Sequence, residues 1–483
     1  MTETPTADEP AAPRPAAAVT AHAVVGRRSR TAVLALGDPT RSERHAVIAV
    51  GTYAVALFVF PSNMVLEVVG GQGSVAGLLA LTLFVVYVAS TLMGSHDPLT
   101  VRHPTRGALF LLTVMSLVAW ALTPFHGLTA TQQVGADRWV LMLAGFAGVV
   151  LVAAEGLRTV DGLVRVLRLV VRGAAFCCAV ALVQWLFRFD LSALLRQSLP
   201  GFSVQLSHDV YEDRAALQRV FGTTAHPIEL GVIAGMLLPL ALVLATQDRS
   251  HSPVLRWGPV VLIATAIPAS VARSAVLAVI VSSAVLVACL PARPRVTAMV
   301  LLPLGTFVVG LARPGYLRTL ADLVGAGADD ASLQGRLVDL PLVGRLVSEH
   351  PWFGTGPGTY TAANALDIFD NQYYTSATEL GLLGLTGLLA WYLVPVVTAA
   401  AARHRSSDPP LRAVAGALAG AATASAVCAF TFDGLSFNMY AGLQALVVGC
   451  IGTCWILSGR EGRVARAAGR DAHPAAPPPS HGS

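Results

Sequence analysis

The sequence contains no lysine, so all 33 of its basic residues are arginine, and charged residues of either sign make up only 13% of its 483 residues. This charged fraction is about half that of an ordinary soluble domain. Hydrophobic residues make up 54% of the chain, which is more apolar surface than a soluble fold of this length can bury. The composition therefore excludes an ordinary soluble enzyme and predicts an all-α integral membrane protein.

The motifs of soluble catalysis are also missing. The chain has no P-loop, no dinucleotide-binding fingerprint and no CxxC pair, and no dense group of Asp, Glu and His indicates a metal site. The absence of a convincing internal repeat disfavours a transporter built from duplicated halves. All the cysteines lie in apolar stretches, where we expect them to pack as small side chains rather than form exported disulfides. They are Cys177, Cys178, Cys289, Cys428, Cys450 and Cys454.

Long apolar runs predict about twelve membrane-spanning helices, each close to the ~20 residues that cross a bilayer. We place these spans near residues 45–66, 75–94, 107–124, 138–154, 169–187, 227–246, 257–271, 274–290, 296–312, 377–398, 412–431 and 437–458. Residues 1–44 and 459–483, which lack long apolar runs, are predicted to be disordered cytoplasmic tails around a membrane domain at 45–458.

The distribution of arginine predicts how these spans are oriented. Basic residues concentrate in alternate connections, and such a bias marks the cytoplasmic side of a membrane protein. The rule predicts that both termini are cytoplasmic and that two long loops, at 188–226 and at 313–376, are extracytoplasmic. The second of these is a large loop between helices 9 and 10. We therefore expect a protein of the cytoplasmic (inner) membrane with its active face outside.

Residues that suit anion binding flank the membrane segments on the predicted outer side. The segment RVFGTTAHPIELG brings Arg219 and His226 to a helix start at Pro227, and a helix N-terminus with a nearby arginine favours an anion. Arg273 lies where two apolar spans meet with almost no connection. The alternatives are that both arginines anchor to lipid headgroups and that His226 only caps its helix.

The second long loop carries further basic residues. Arg336 and Arg345 lie in an amphipathic-looking stretch, which is followed by the glycine turn GTGPGTY at 354–360. Basic residues that persist in an exported loop invite a functional interpretation, although a solvated loop with scattered charge is the simpler alternative. A helix followed by a glycine turn also suits a segment that only anchors at the membrane surface.

Carboxylates appear where this loop enters the next span. In the stretch DNQYYTSATELGLLG, Asp370 and Glu379 are candidates for a general base and its orienting partner. Asn371 and Tyr373 are candidate substrate contacts beside them. The ordinary alternative is that Asp370 or Asn371 caps the helix.

Four segments occur in order along the chain: RVFGTTAHPIELG, VARSAVLAV, RLVDL with HPWFGTGPGTY, and DNQYYTSATELGLLGLTGLL. Together they cover about residues 210–395 and resemble the O-antigen ligase and polymerase family of bacterial membrane glycosyltransferases. No single segment is specific, and the resemblance rests on their order. It implies a GT-C-like fold of many helices with a large extracytoplasmic loop.

The resemblance also implies a reaction, the transfer of glycan from an undecaprenyl diphosphate carrier to an acceptor hydroxyl. Arginines near the outer face would hold the diphosphate, and the matching positions here are Arg219, Arg273 and Arg336. Family ligases usually carry His-Asn where this chain has Asp370-Asn371. With Asp370 as the base, this departure favours a polysaccharide polymerase or a divergent transferase over a lipid A ligase.

These observations predict a metal-independent glycosyltransferase of cell-surface polysaccharide biosynthesis that uses no cofactor. Its expected partners are the lipid bilayer, the polyprenyl-diphosphate-linked glycan donor, a glycan acceptor and the polysaccharide-export machinery, with no nucleic acid. Two alternatives remain open, a transporter or flippase of lipid-linked glycan and a non-catalytic assembly protein. Polar residues that gather at the outer ends of the spans, rather than at mid-membrane, favour the enzyme.

Overall fold

The computed structural model describes residues 39–192, 194, 200–204, 213–214, 217–290, 331–360 and 369–471. These residues form mostly α-helices, which we number in chain order. The helices are α1 (Pro39–Val59), α2 (Val75–Leu92), α3 (Pro104–Leu122), α4 (Ala130–Gly156), α5 (Val160–Phe187), α6 (Pro227–Gln247), α7 (Pro253–Ala269), α8 (Arg273–Cys289), α9 (Ala331–Glu349), α10 (Gln372–Arg405), α11 (Pro409–Cys428) and α12 (Asn438–Asp471).

Within the described residues, eight helices are long and apolar enough to cross a membrane: α2 to α6 and α10 to α12. Helices α7 and α8 are apolar but shorter, with 17 residues each. The chain is therefore a multi-pass, mostly α-helical membrane protein, as its composition predicted. Of the twelve predicted spans, the one at 296–312 lies outside the described residues.

The ends of the chain differ from the predicted boundaries. Helix α1 begins at Pro39, inside the predicted first tail, and it ends at Val59 rather than near residue 66. Polar Ser62 and Asn63 interrupt the apolar run there, and the strand β1 (Met64–Leu66) follows. Helix α12 continues to Asp471, beyond the predicted end of the membrane domain, because its charged final turns retain good helix formers.

Two small antiparallel pairs of strands lie in the connections. Strand β1 pairs with β2 (Phe202–Val204), with Met64 opposite Val204. Strands β3 (Asp213–Arg214) and β4 (Leu217–Gln218) form the second pair. The prediction of an all-α fold therefore holds for the membrane helices but not for the first long loop.

Proline and capping side chains set where the helices begin. Proline occupies the first turn of α3, α6, α7 and α11, where its missing N–H costs no hydrogen bond. Thr129 and Gln132 form a reciprocal capping box at the start of α4, which satisfies two N–H groups that the helix leaves unpaired. Local sequence signals therefore account for where these five helices begin.

The connections separate into two groups at opposite ends of the bundle. We call one the long-loop end; it contains segments 60–74, 123–129, 217–226, 270–272, 350–360, 369–371 and 429–437. We call the other the arginine-rich end; it contains segments 93–103, 157–159, 248–252 and 406–408 and α12 beyond Ser458. Which of the two ends faces the cytoplasm stays a prediction from the arginines.

Contacts within each group support this division. At the long-loop end, the Ser62 amide donates to the Thr223 carbonyl at 2.9 Å, and the Asn438 side chain donates to the Ser62 carbonyl at 3.0 Å. At the arginine-rich end, the Ser406 hydroxyl donates to the Glu461 carboxylate at 3.0 Å. Helices α6 and α12 form the centre of the bundle, since 89% of the residues in the most apolar stretch of each are buried. In α2 only 11% are buried, so this helix lies at the periphery.

Candidate functional site

The segment that leads into α6 is built on a tight turn at Gly222. This residue has φ +62°, and a Cβ there would lie 2.5 Å from the Cys177 carbonyl oxygen, so only glycine fits. The Gln184 side chain holds the turn by accepting from the Gly222 amide at 2.8 Å and donating to its carbonyl at 3.2 Å. The turn is thereby fixed against α5.

Glu229, in the first turn of α6, joins several elements at the long-loop end. Its buried carboxylate accepts hydrogen bonds from the backbone amides of Ala225 at 2.7 Å and of Met439 and Tyr440 at 2.9 Å each. The last two are free amides at the N-terminus of α12, where the helix dipole favours a negative charge. Glu229 therefore ties α6 to α12.

The predicted Arg219 contacts the turn that precedes the predicted Arg273. The buried Arg219 side chain donates from Nε to the Ser270 carbonyl at 3.4 Å, and Arg273 begins α8 three residues later. Between them Val271 adopts φ +46°, which makes the reversal from α7 to α8 tight enough to need almost no connection. His226 caps α6 by accepting from the Ile228 amide at 3.1 Å, and its ring packs against Phe437 with centroids 5.9 Å apart.

Helix α10 breaks at Gly381, and the segment at 350–360, which contains the glycine turn, fills the break. Gly381 has φ +67° and ψ −173°, and a Cβ there would lie 2.4 Å from the Trp352 carbonyl carbon. The amides of Leu382 and Leu383 donate to the carbonyls of Pro351 and Trp352 at 2.9 Å and 3.2 Å. The break thus exposes backbone groups inside a membrane helix, and the loop satisfies them.

Glu379 completes this junction with its side chain. Its buried carboxylate accepts from the amides of Gly358 at 2.8 Å and Tyr360 at 3.1 Å, while its carbonyl accepts from the Gly356 amide at 2.8 Å. The glycine turn is therefore clamped onto α10 by three bonds to one residue. This arrangement gives Glu379 a positioning contact with the loop, in addition to its place in the cavity described below.

The start of α10 is fixed by its neighbouring polar residues. Asn371 is the N-cap and accepts from the Tyr373 amide at 2.9 Å, which was one of the alternatives that the sequence left open. The Tyr373 hydroxyl donates to the Ala426 carbonyl at 2.8 Å. Gln372 accepts from the Leu435 amide at 2.7 Å, so the connection between α11 and α12 is tied to α10. Asp370 lies just before this cap and is exposed.

These elements enclose a cavity of about 300 Å³ at the long-loop end. Its walls come from the first turns of α4, the glycine turn, the first turns of α10 and the 3-10 turn Gly434–Ser436. The polar side chains among its lining residues are Gln72, Arg138, Tyr360, Gln372, Thr375, Glu379, Asp433 and Ser436. Helix and loop residues far apart in sequence thus present two carboxylates and a guanidinium to one concavity.

Asp433 is the carboxylate in this cavity that lies outside the membrane helices. Burial raises its pKa to about 6, and the negative charge of Asp370 acts in the same direction. The Ser436 hydroxyl, which donates to Asp433, and the positive charge of Arg138 favour the ionised form. The Asp433 carboxylate therefore takes up and releases a proton closer to neutral pH than an ordinary aspartate.

Sequence reasoning missed Arg138 and Asp433. Both had a signal: Arg138 stood at the very start of a predicted span, and Asp433 lay in the short connection between two apolar runs. Of the residues that the sequence did predict, Glu379 lines the cavity, and Asp370 acts on Asp433 electrostatically. Arg219, Arg273 and His226 are not among the lining residues.

The remaining predicted residues lie on α9. Arg345 is exposed on this helix, which carries Pro341 in its interior. The Arg336 side chain lies outside what the structure describes. Within the described ranges, no group of three or more His, Cys, Asp and Glu residues is arranged to hold a metal ion.

Residues 258–389 match a family model described as O-antigen ligase. The matched segment runs from α7 through α9 and the glycine turn to the first part of α10, and it contains Arg273, Arg336, Arg345, Asp370, Asn371, Tyr373 and Glu379. The resemblance to an O-antigen ligase/polymerase-like family is thereby confirmed, and it indicates a membrane glycan-processing function. No curated protein matches the chain.

Proposed function

We propose that this protein is a membrane glycosyltransferase that transfers or polymerises glycan from a polyprenyl-diphosphate carrier on the outer face of the cytoplasmic membrane, in cell-surface polysaccharide biosynthesis. The observation that carries the proposal is the cavity at the long-loop end. There the loop of the O-antigen ligase match meets two carboxylates and Arg138. Its volume of about 300 Å³ lies at the lower end of the range for ligand sites, so it suits the reacting sugars rather than a whole lipid carrier.

The base in this proposal is Asp433 together with Asp370, which acts on it from outside the cavity lining. An efficient general base has a pKa near the working pH, and Asp433, with a pKa of about 6, fits this requirement without a histidine. Asp370, which stands where family ligases carry histidine, lies at the same end and raises the proton affinity of Asp433. Glu379 positions the glycine turn that forms one wall.

The reaction that follows is a direct displacement. The acceptor sugar hydroxyl attacks the anomeric carbon of the donor glycan, and its proton passes to the carboxylate. The bond between that carbon and the diphosphate oxygen breaks, and the lipid diphosphate leaves with the electron pair, so the anomeric configuration inverts. The step needs positive charge near the leaving group. In this proposal Arg138 supplies it at the cavity, and Arg219 and Arg273 supply it at the turn between α7 and α8.

The lipid diphosphate is too large for any one of these side chains to bind alone. A guanidinium binds phosphate through two parallel hydrogen bonds and stays charged at any physiological pH. We place Arg336 and Arg345 of α9 among the residues that guide the carrier from the membrane surface, with His226, Asn371 and Tyr373 supporting the site. No metal is part of this proposal.

The proposed topology completes the assignment. We propose that the predicted spans cross the membrane with both termini in the cytoplasm. The long-loop end is then extracytoplasmic, where lipid-linked glycans are used and where export machinery can receive the product. A polymerase fits the Asp370-Asn371 pair better than a lipid A ligase, because the family's ligase histidine is replaced.

The decisive experiment identifies the product. Purified full-length protein in liposomes is supplied with a lipid-linked oligosaccharide, and the glycans are analysed by mass spectrometry. Lengthened lipid-linked chains support a polymerase, and glycan on a different acceptor supports a ligase. Movement of intact donor across the bilayer without any new glycosidic bond identifies a flippase and overturns the proposal, as does donor binding without turnover, which points to an assembly protein.

A further inference from the structure

A second cavity lies at the arginine-rich end, opposite the glycan site. It has a volume of about 480 Å³ and is formed by the connection before α3, the end of α10 and residues 455–463 of α12. Four of its lining residues are arginines: Arg102, Arg405, Arg460 and Arg463. Nothing in the proposed glycan transfer uses this cavity.

The charge of this cavity is predominantly positive. Its lining contains no aspartate or glutamate among the residues that the structure describes, although Glu43 acts electrostatically on Arg460. The nearest carboxylate in sequence, Glu461, instead accepts from the Ser406 hydroxyl at 3.0 Å and from the Ser407 amide at 2.9 Å. Like charges held around one concavity repel each other, so an anion in the cavity stabilises the arrangement.

A general bias of arginine toward the cytoplasmic side places basic residues at this end of the bundle, but it does not collect them around a cavity. Here the fold holds two of them in place. The Arg405 guanidinium stacks over the Trp455 ring, with its central carbon 4.1 Å from the ring centroid. Arg460 donates to the Arg158 carbonyl at 3.2 Å.

The remaining wall is apolar and lies near the predicted end of the last membrane span. Val101, Trp455 and Ile456 line the cavity beside the arginines, close to the predicted membrane boundary of α12. Tryptophan is enriched at this depth because its ring suits the region between acyl chains and headgroups. A phosphate on a lipid uses both the charged and the apolar wall, whereas a free phosphate uses only the first.

We propose that this cavity binds the phosphate-bearing headgroup of an anionic membrane lipid. The arginines engage the phosphate, since guanidinium groups bind phosphate oxygens in pairs, and the apolar wall packs against the glycerol and the first acyl carbons. Basic pockets between membrane helices are suited to such headgroups. The bound lipid contacts both α10 and α12 and lies at the end of the bundle opposite the glycan site.

The test measures which lipid the full-length protein retains. Protein purified in a neutral detergent is mixed with equal amounts of phosphatidylglycerol and phosphatidylcholine, and bound lipids are counted by native mass spectrometry. The cavity variant is Arg102→Gln with Arg463→Gln, two exposed lining residues. The matched control is Arg165→Gln with Arg412→Gln, which removes the same charge at the same end from exposed positions that are not among the lining residues.

We expect the wild type and the control to retain phosphatidylglycerol in preference to phosphatidylcholine, and the cavity variant to lose at least about tenfold in that preference, since each basic side chain near an anionic surface contributes several-fold. Equal losses in the cavity variant and the control overturn the proposal, because they report only general charge. If the double variant does not fold, Arg463→Gln alone repeats the measurement with a smaller expected loss.

A parallel titration with inorganic diphosphate separates the two sources of phosphate. Weak binding of free diphosphate, with phosphatidylglycerol retained in its presence, supports a lipid site. Tight binding of free diphosphate that is lost in the cavity variant, with no preference between the two lipids, overturns the lipid assignment in favour of a soluble anion.

Discussion

At the scale of a single residue, the first prediction concerns Asp433 and the pH dependence of transfer activity. Because its pKa is raised to about 6, the carboxylate is protonated below that pH and ionised above it, and only the ionised form accepts a proton. Transfer activity should therefore rise between about pH 5 and about pH 7 and then level off. Asp433→Asn should lower the rate by about 10²-fold or more, as measured by product formation in proteoliposomes. Asp137→Asn, on the exposed face of α4, is the matched control, and a wild-type rate in Asp433→Asn contradicts the assignment.

The neighbours of Asp433 give a second prediction, which concerns the position of the pH profile rather than the rate. Asp370 raises the pKa of Asp433 and Arg138 lowers it. Asp370→Asn should therefore move the rising limb of activity to lower pH, and Arg138→Gln should move it to higher pH. The measurement is the midpoint of the pH profile for each variant's residual activity. If both variants shift the midpoint in the same direction, or neither shifts it, Asp433 does not control the rise of activity with pH.

Sequence reasoning succeeded at this scale where the signal was local. Asn371 was considered as a helix cap, and it is one, because capping depends on residues only two or three positions away. Arg138 and Asp433 were not predicted as site residues because they are nearly three hundred residues apart in the sequence. Their shared cavity depends on how α4 packs beside the connection between α11 and α12. Hydropathy and local motifs carry no information about such a contact.

At the scale of an element, the break in α10 gives the third prediction. Gly381→Ala places a Cβ 2.4 Å from the Trp352 carbonyl carbon at a positive φ, so Trp352 and the glycine turn that follows it must move away from α10. We expect a loss of stability on the order of 2–4 kcal/mol, together with a large loss of transfer activity. Thermal unfolding in detergent and the proteoliposome assay measure the two effects.

The control for this change is Gly107→Ala in α3, where an added Cβ meets nothing within 4 Å. It should preserve activity and leave stability unchanged or slightly higher, because alanine is a better helix former than glycine. A Gly381→Ala protein with the stability and activity of Gly107→Ala would show that the glycine turn does not depend on the break.

The same helix shows what an apolar pattern can and cannot predict. The run from residue 377 to residue 398 was identified as a span because its length and hydropathy suffice for that. The break within it was not predicted, since leucines on both sides continue the apolar run through Gly381. Only the partner segment at 350–360 makes the break favourable, and that partnership is tertiary.

At the scale of the whole molecule, the division into two ends follows from the connections, whereas their sidedness is a prediction. If the long-loop end is extracytoplasmic, Ser348→Cys in α9 should react with a membrane-impermeant maleimide in intact cells. Ser95→Cys, in the connection between α2 and α3, should react only after the membrane is permeabilised. Both positions are exposed.

The native cysteines should contribute little background to this labelling. Five of the six cysteines are buried and Cys289 is partly buried, so the unsubstituted protein measures the background. Labelling of Ser95→Cys but not Ser348→Cys in intact cells would invert the topology and place the proposed glycan site in the cytoplasm, where the proposed outer-face reaction fails. Labelling of both would contradict the grouping of connections itself. The expected pattern instead places the two cavities on opposite membrane surfaces, so that a lipid bound by the arginines and a glycan bound near Asp433 belong to different leaflets.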